Sequence, residues 1–190
     1  MSSEDQVKVE TAMDVLLVLL YARGKKAHET IAGITKLEKL VFLLVQETSL
    51  GKLIDQNFTY EPYHFGPYSA EVLDNIEALG ELGLVRTSAV PSRSYVEESD
   101  RYQVGVQVNE SDADSSEVDQ KGNMEVFDLT DDGIKVAEVL FSSLDKQQQQ
   151  EVSQLKGRFN SLSLRQLLRY VYKKYPQSTT ESKIKDYVLA

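Results

Sequence analysis

The sequence predicts an α+β protein, with a helical core, a small antiparallel β-sheet and further helices after it. Three observations predict it. Apolar residues recur at helical spacing up to residue 83, β-branched residues take over between 84 and 129, and capped helical periodicity returns from 130 onward. A chain of 190 residues, 41% hydrophobic and 27% charged, supports one sizeable core and is short for two, so 1–190 reads as a single domain.

The core region, 9–83, contains three helices. The first, "VETAMDVLLVLLYA", is apolar nearly all round and belongs at the centre of the core; it is about half as long as a bilayer span requires. A polar connection, "RGKKAHETIAG", leads to "ITKLEKLVFLLVQETS". There Thr35 and Glu38 have capping-box spacing, and Leu37, Leu40, Val41, Leu44 and Val45 share one helical face. The third helix, "AEVLDNIEALGELG", follows Ser69 as its expected cap, buries Val72, Leu73, Ile76, Leu79 and Leu82, and stops at Gly83.

Strand signals then appear in "LVRTSAV", in the alternating "RYQVGVQV" and in "MEVFDL". Between the last two lies an acidic loop, 109–123, with no large apolar residue except Val118. Thr130 caps the next helix, "DKQQQQEVSQLKGRFN" reads as a polar helix or helical connector, and Ser163 caps "LRQLLRYVYKKY", which Pro176 ends. Three helices, then a two- or three-stranded wing (84–129), then C-terminal helices (130–190) is winged-helix-like order.

The densest aromatic segment is "YEPYHFGPYS", residues 60–69, in a chain with 10 Tyr, 6 Phe and no Trp. Pro62 and Gly66-Pro67 forbid a regular helix, so it reads as an extended turn delivering the chain to Ser69. Tyr63, His64, Phe65, Gly66, Pro67, Tyr68 and Ser69 form an aromatic corner that is first a packing device and second a binding surface. No partnered nucleophile or orienting carboxylate is recognisable beside His64, which reads as a structural imidazole.

Taken in order, "TKLEKLVFLLVQE", "FTYEPYHFGPYSAEVLDNIEALGELGLV", "FDLTDDG" and "LLRYVYKKYPQSTTES" resemble the uncharacterised YwgA-type family of bacterial and archaeal proteins, which is similar in turn to the Panacea, or SocA-like antitoxin, domains. The resemblance rests on a KLxKLxFL helix, a Y-H-F-G-P-Y-S corner and a terminal YxxYP element followed by serine, and covers most of 35–182. It implies a small helical, winged-helix-like fold and, through the Panacea group, work as an antitoxin or adaptor acting by protein contacts. The long β region and acidic loop set this chain apart from compact Panacea domains.

Composition narrows the chemistry. There are no cysteines, His28 and His64 lie in different segments, and no HxxxH or HxH spacing exists, so neither a metal nor a cofactor is expected. Walker, GxGxxG, HExxH and nucleophile-elbow motifs are missing, and a non-enzymatic protein is expected. The N-terminal residues lack a signal-peptide pattern, so a soluble cytoplasmic protein without membrane attachment is expected.

The net charge of −9 is uneven: residues 156–190 hold eight basic and two acidic side chains, a net +6, which leaves −15 on the rest. The third helix exposes Glu71, Asp74, Asn75, Glu77 and Glu81 with no Lys or Arg from 69 to 85, so it is unsuited to a phosphate-lined groove. Arg165, Arg169 and Lys173, at i, i+4 and i+8, make a basic stripe that Arg158 and Lys174 extend. Two functions follow. The first is a protein-interaction module of antitoxin or adaptor type, with a protein partner contacted through the acidic third helix or the aromatic corner. The alternative is a winged-helix DNA-binding transcriptional regulator using the basic C-terminal helix and wing arginines Arg86, Arg93 and Arg101; a homodimer is one form this reading allows.

Overall fold

The computed structural model describes residues 7–54, 57–91 and 123–190, and shows an α+β architecture of helices with one three-stranded and one two-stranded antiparallel sheet. Helix α1 (Ala12–Tyr21) opens with a capping box: the Thr11 hydroxyl accepts from Asp14 N–H, and the Asp14 carboxylate accepts from Thr11 N–H at 2.8 Å. Val15 through Leu20 are all buried, so α1 lies at the centre with other helices packed round it.

The polar connection after α1 contains an unexpected short strand, β1 (Ile31–Ala32). Strand pairing explains why the second helix does not begin with the expected capping box. Gly33 donates its N–H to Glu125 at 2.8 Å and turns at φ +91 straight into α2 (Ile34–Glu47), so Thr35 and Glu38 are buried positions inside the helix. Besides the five expected apolar residues, Phe42 and Leu43 are buried, making α2 a second interior helix. A short helix, α3 (Gly51–Ile54), follows.

The aromatic segment is a β-hairpin rather than an extended turn. Strands β2 (Glu61–Tyr63) and β3 (Gly66–Tyr68) pair with Pro62 opposite Pro67. Neither proline has an N–H, and an antiparallel ladder alternates bonded with non-bonded pairs, so facing prolines at the non-bonded pair leave the ladder intact. Helix α4 (Ala70–Glu81) follows, but Ser69 does not cap it: its hydroxyl donates to the Glu71 carboxylate at 2.6 Å. Gly83, at φ +70, ends the helix and Leu84 N–H returns to Leu79 O. Leu82, expected in the core, is exposed.

Strands β4 (Val85–Pro91) and β5 (Asn123–Leu129) pair over seven residues, and β1 adds to the other edge of β5, giving the order β1-β5-β4. The expected strand at 101–108, Arg93, Arg101 and loop residues 109–122 lie outside the described residues, while Asn123 belongs to β5. Thr130 caps α5 (Asp131–Ser143) as expected, accepting from Gly133 N–H and donating to Gly83 O at 2.7 Å. The glutamine-rich stretch is a full helix, α6 (Lys146–Phe159), started by an Asp145–Gln148 capping box. Ser163 and Gln166 begin α7 (Leu164–Lys174), Pro176–Thr179 forms a 3-10 turn, and α8 (Lys185–Leu189) closes the described chain. One apolar cluster joins α1, α2, α4, α5, α6 and α7; Ala32, Met124 and Val126 form a smaller one under the sheet.

Candidate functional site

Three surfaces carry the residues singled out by the sequence. The first is the aromatic corner. Tyr63 stacks on His64 at 4.2 Å between ring centroids and packs against Tyr68 at 5.1 Å, while Phe65 is half-buried at the hairpin turn beside His64. Beneath them, Phe42 takes Tyr60 and Tyr175 edge-on, each at 5.0 Å. Lys39, buried inside α2, donates to Pro67 O at 2.8 Å and pairs with Glu38 at 3.2 Å, tying the hairpin to the core. The C-terminal segment binds it from the other side: Lys183 N–H donates to His64 O at 3.1 Å, Ser182 hydroxyl reaches the same oxygen at 3.3 Å, and Tyr172 bonds Ser182 at 2.8 Å.

Residues of the α2, corner and C-terminal pieces therefore meet at one place, whereas "FDLTDDG" lies in β5 and the start of α5. Gly66 is required there, because its φ is +92 and an added β-carbon would lie 2.9 Å from the Tyr172 ring. Burial pushes the Tyr172 phenol up to about 12, offset in part by its bond to Ser182. Tyr60 hydroxyl is buried without a hydrogen-bond partner, and burial followed by the charges of Glu38 and Glu71 holds its pKa well above the ordinary tyrosine value. The corner thus offers a rigid, half-exposed aromatic ledge. Among the described residues no group of three or more His, Asp or Glu side chains is placed to hold a metal ion.

The second surface is the basic stripe. The η-nitrogen of Arg165 donates to Tyr187 O at 3.1 Å, with its guanidinium 4.6 Å from the Tyr187 ring. Arg169 donates to Leu189 O at 3.3 Å, and the Nε of each arginine is buried without a partner. Lys173 is exposed, and Arg158 lies over the rings of Phe159 (4.7 Å) and Tyr170 (5.1 Å). Lys174 pairs with Glu47 at 3.0 Å, and its bonds to the Tyr170 hydroxyl and Glu47 raise its pKa. Burial and the same Glu47 carboxylate lift the Tyr175 phenol to about 12.

Three of the eight basic side chains of 156–190, together with Lys36, serve helix ends, which the sequence reading missed. Lys156, buried in α6, donates to Leu20 O in the last turn of α1 at 2.6 Å; Lys36 reaches Asn160 O and Leu162 O past the end of α6; the two arginines serve α8 in the same way. Carbonyls left over at a helix C-terminus attract cations, and α1 has no basic residue of its own in its last turn. The available signal was a lysine set within an apolar run, as Lys39 is in "KLEKLVF". Lys156, in a polar helix, has no comparable signal.

The third surface is the outer face of α4 and α5. Asp74, Glu77, Glu81, Asp131, Asp132 and Glu138 are exposed there, with Lys135 bonded to Asp132 at 2.8 Å. Leu82 is 63% exposed, Val136 41% and Val139 52%. Both helices pack on α1, and the first turn of α5 meets the chain just past α4, where Gly133 lies so close to the Leu84 carbonyl that a β-carbon would overlap it.

Comparison with protein-family models, curated proteins and solved structures found no match to this chain. Among the described residues no helix is long and apolar enough to cross a membrane.

Proposed function

We propose that this chain is a non-enzymatic protein-interaction module of the antitoxin or adaptor kind on a winged-helix-like scaffold. Its contact surface is the acidic face of α4 and α5, and its partner is a basic amphipathic segment. The observation that carries this reading is the exposure of Leu82, Val136 and Val139 amid carboxylates, three of the five large apolar side chains left exposed among the described residues. Exposed apolar groups rimmed by one sign of charge suit association with a surface of opposite sign. The scaffold reading is supported by the order α1, β1, α2, α4, β4, β5 and by β5 lying between β1 and β4. Docking on DNA through α7 has less support, because Arg165 is held by the Tyr187 carbonyl and ring and wing residue Arg86 is paired with Asp128 at 2.8 Å.

The test is fluorescence anisotropy with a labelled amphipathic peptide carrying leucine and lysine at helical spacing, against wild type and Val136→Lys/Val139→Lys. Both valines are exposed, so the fold is retained. Binding weakened by about tenfold or more in the variant is expected. Equal binding by both proteins, or none by wild type, would overturn the reading.

A further inference from the structure

Beside the basic stripe, α7 borders an open groove of about 580 Å³ lined by Leu162, Gln166, Arg169, Tyr170, Lys173 and Lys174. We propose that this groove is a second docking site, for an acidic peptide segment of a partner protein, with carboxylates on Arg169 and Lys173 and an apolar side chain against Leu162 and Tyr170.

Charge complementarity carries the assignment. Lys174 is neutralised by Glu47, so it contributes a wall more than a free charge. Lys173 extends into solvent, and among the described residues the one hydrogen bond Arg169 makes is the long one to Leu189 O, in a side chain with five N–H donors. A carboxylate suits both, since charge-assisted bonds to an ion are shorter and stronger than bonds to a neutral carbonyl. The Tyr170 ring packs against Phe159 at 4.7 Å, the Arg158 guanidinium lies near both rings, and the Tyr170 hydroxyl donates to Glu47 at 3.0 Å, which together fix the ring as a wall. Gln166 supplies an amide for a peptide backbone.

A peptide fits better than a nucleic acid. Eleven residues of α7 span about 16 Å, room for a few extended residues. The carboxylates of α4 and α5 and the net charge of −9 oppose a long polyanion. The site is independent of the acidic face and gives the molecule two docking surfaces of opposite sign.

The experiment is anisotropy of a fluorescein-labelled peptide of aspartate and glutamate around one leucine, titrated with the full chain across a salt series. A lysine-for-acid peptide and a mixed-sequence DNA duplex serve as comparison probes. Saturable binding that falls with salt and weakens about tenfold or more in Lys173→Glu is expected, with the charge-matched Lys146→Glu, at the far end of α6, unchanged. Arg169→Glu/Lys173→Glu should weaken it further; if that protein does not fold, the exposed Lys173 variant alone decides. No binding at low salt, or equal binding by Lys173→Glu, would overturn the proposal. Tighter binding of the duplex with the same variant dependence would make the groove a nucleic-acid site instead. Self-association in sedimentation, reversed by Lys173→Glu, would assign the groove to the acidic face of a second copy.

Discussion

Lys156 shows how far a tertiary contact can move one side chain from its ordinary chemistry. It is fully buried in α6 and caps α1 from outside. Burial pulls its pKa from 10.5 to about 8, against the opposing pull of Glu29 and Asp128. Below about 8 the ammonium is protonated in both folded and unfolded chains, and the full cost of burying the charge is present. Between about 8 and 10.5 the unfolded chain holds a proton that the folded one has released, so this lysine makes stability rise with pH; above 10.5 its contribution levels off. Urea midpoints measured through that window should climb more steeply for wild type than for Lys156→Met. Parallel pH profiles would show that Lys156 stays charged in the folded protein.

The β2–β3 hairpin is the element on which α2, α7 and the 3-10 turn converge. It has three residues in each strand, too few for independent stability, and is held by Lys39 from α2, Tyr172 from α7 and Ser182 beyond the 3-10 turn. Gly66→Ala would place a methyl group against the Tyr172 ring at a positive φ, so it should cost about 1–3 kcal/mol in chemical denaturation. Hydrogen exchange should also speed up at Lys183, whose N–H is bonded to His64 O. A substitution without effect on either would mean that the hairpin and α7 are not coupled.

Across the molecule, six of the twelve exposed carboxylates among the described residues lie on α4 and α5, while several cations of the C-terminal third are turned toward helix ends. A net charge of −9 on this chain makes self-repulsion a destabilising term that salt screens. The melting temperature should therefore rise by a few degrees from low salt to half-molar sodium chloride. A fall over that range would mean that the attractive pairs, such as Glu47 with Lys174, outweigh the repulsion.

Local chemistry settled the elements whose signals are contained in a few neighbouring residues. The apolar run of α1, the Thr130, Ser163 and Gly83 boundaries, and strands β4 and β5 were all legible, because periodicity and caps act over one or two turns. Contacts between distant segments decided the rest. β1 exists because β5 is there to pair with it, Thr35 lost its cap to the Gly33 turn, and the prolines of the corner face each other across a hairpin. The basic stripe was readable as a row of charges, but only packing showed that two of its arginines bind the carbonyls of α8 while Lys173 remains in solvent. A side chain's charge is written in the sequence; what that charge faces depends on which distant backbone the fold brings to it.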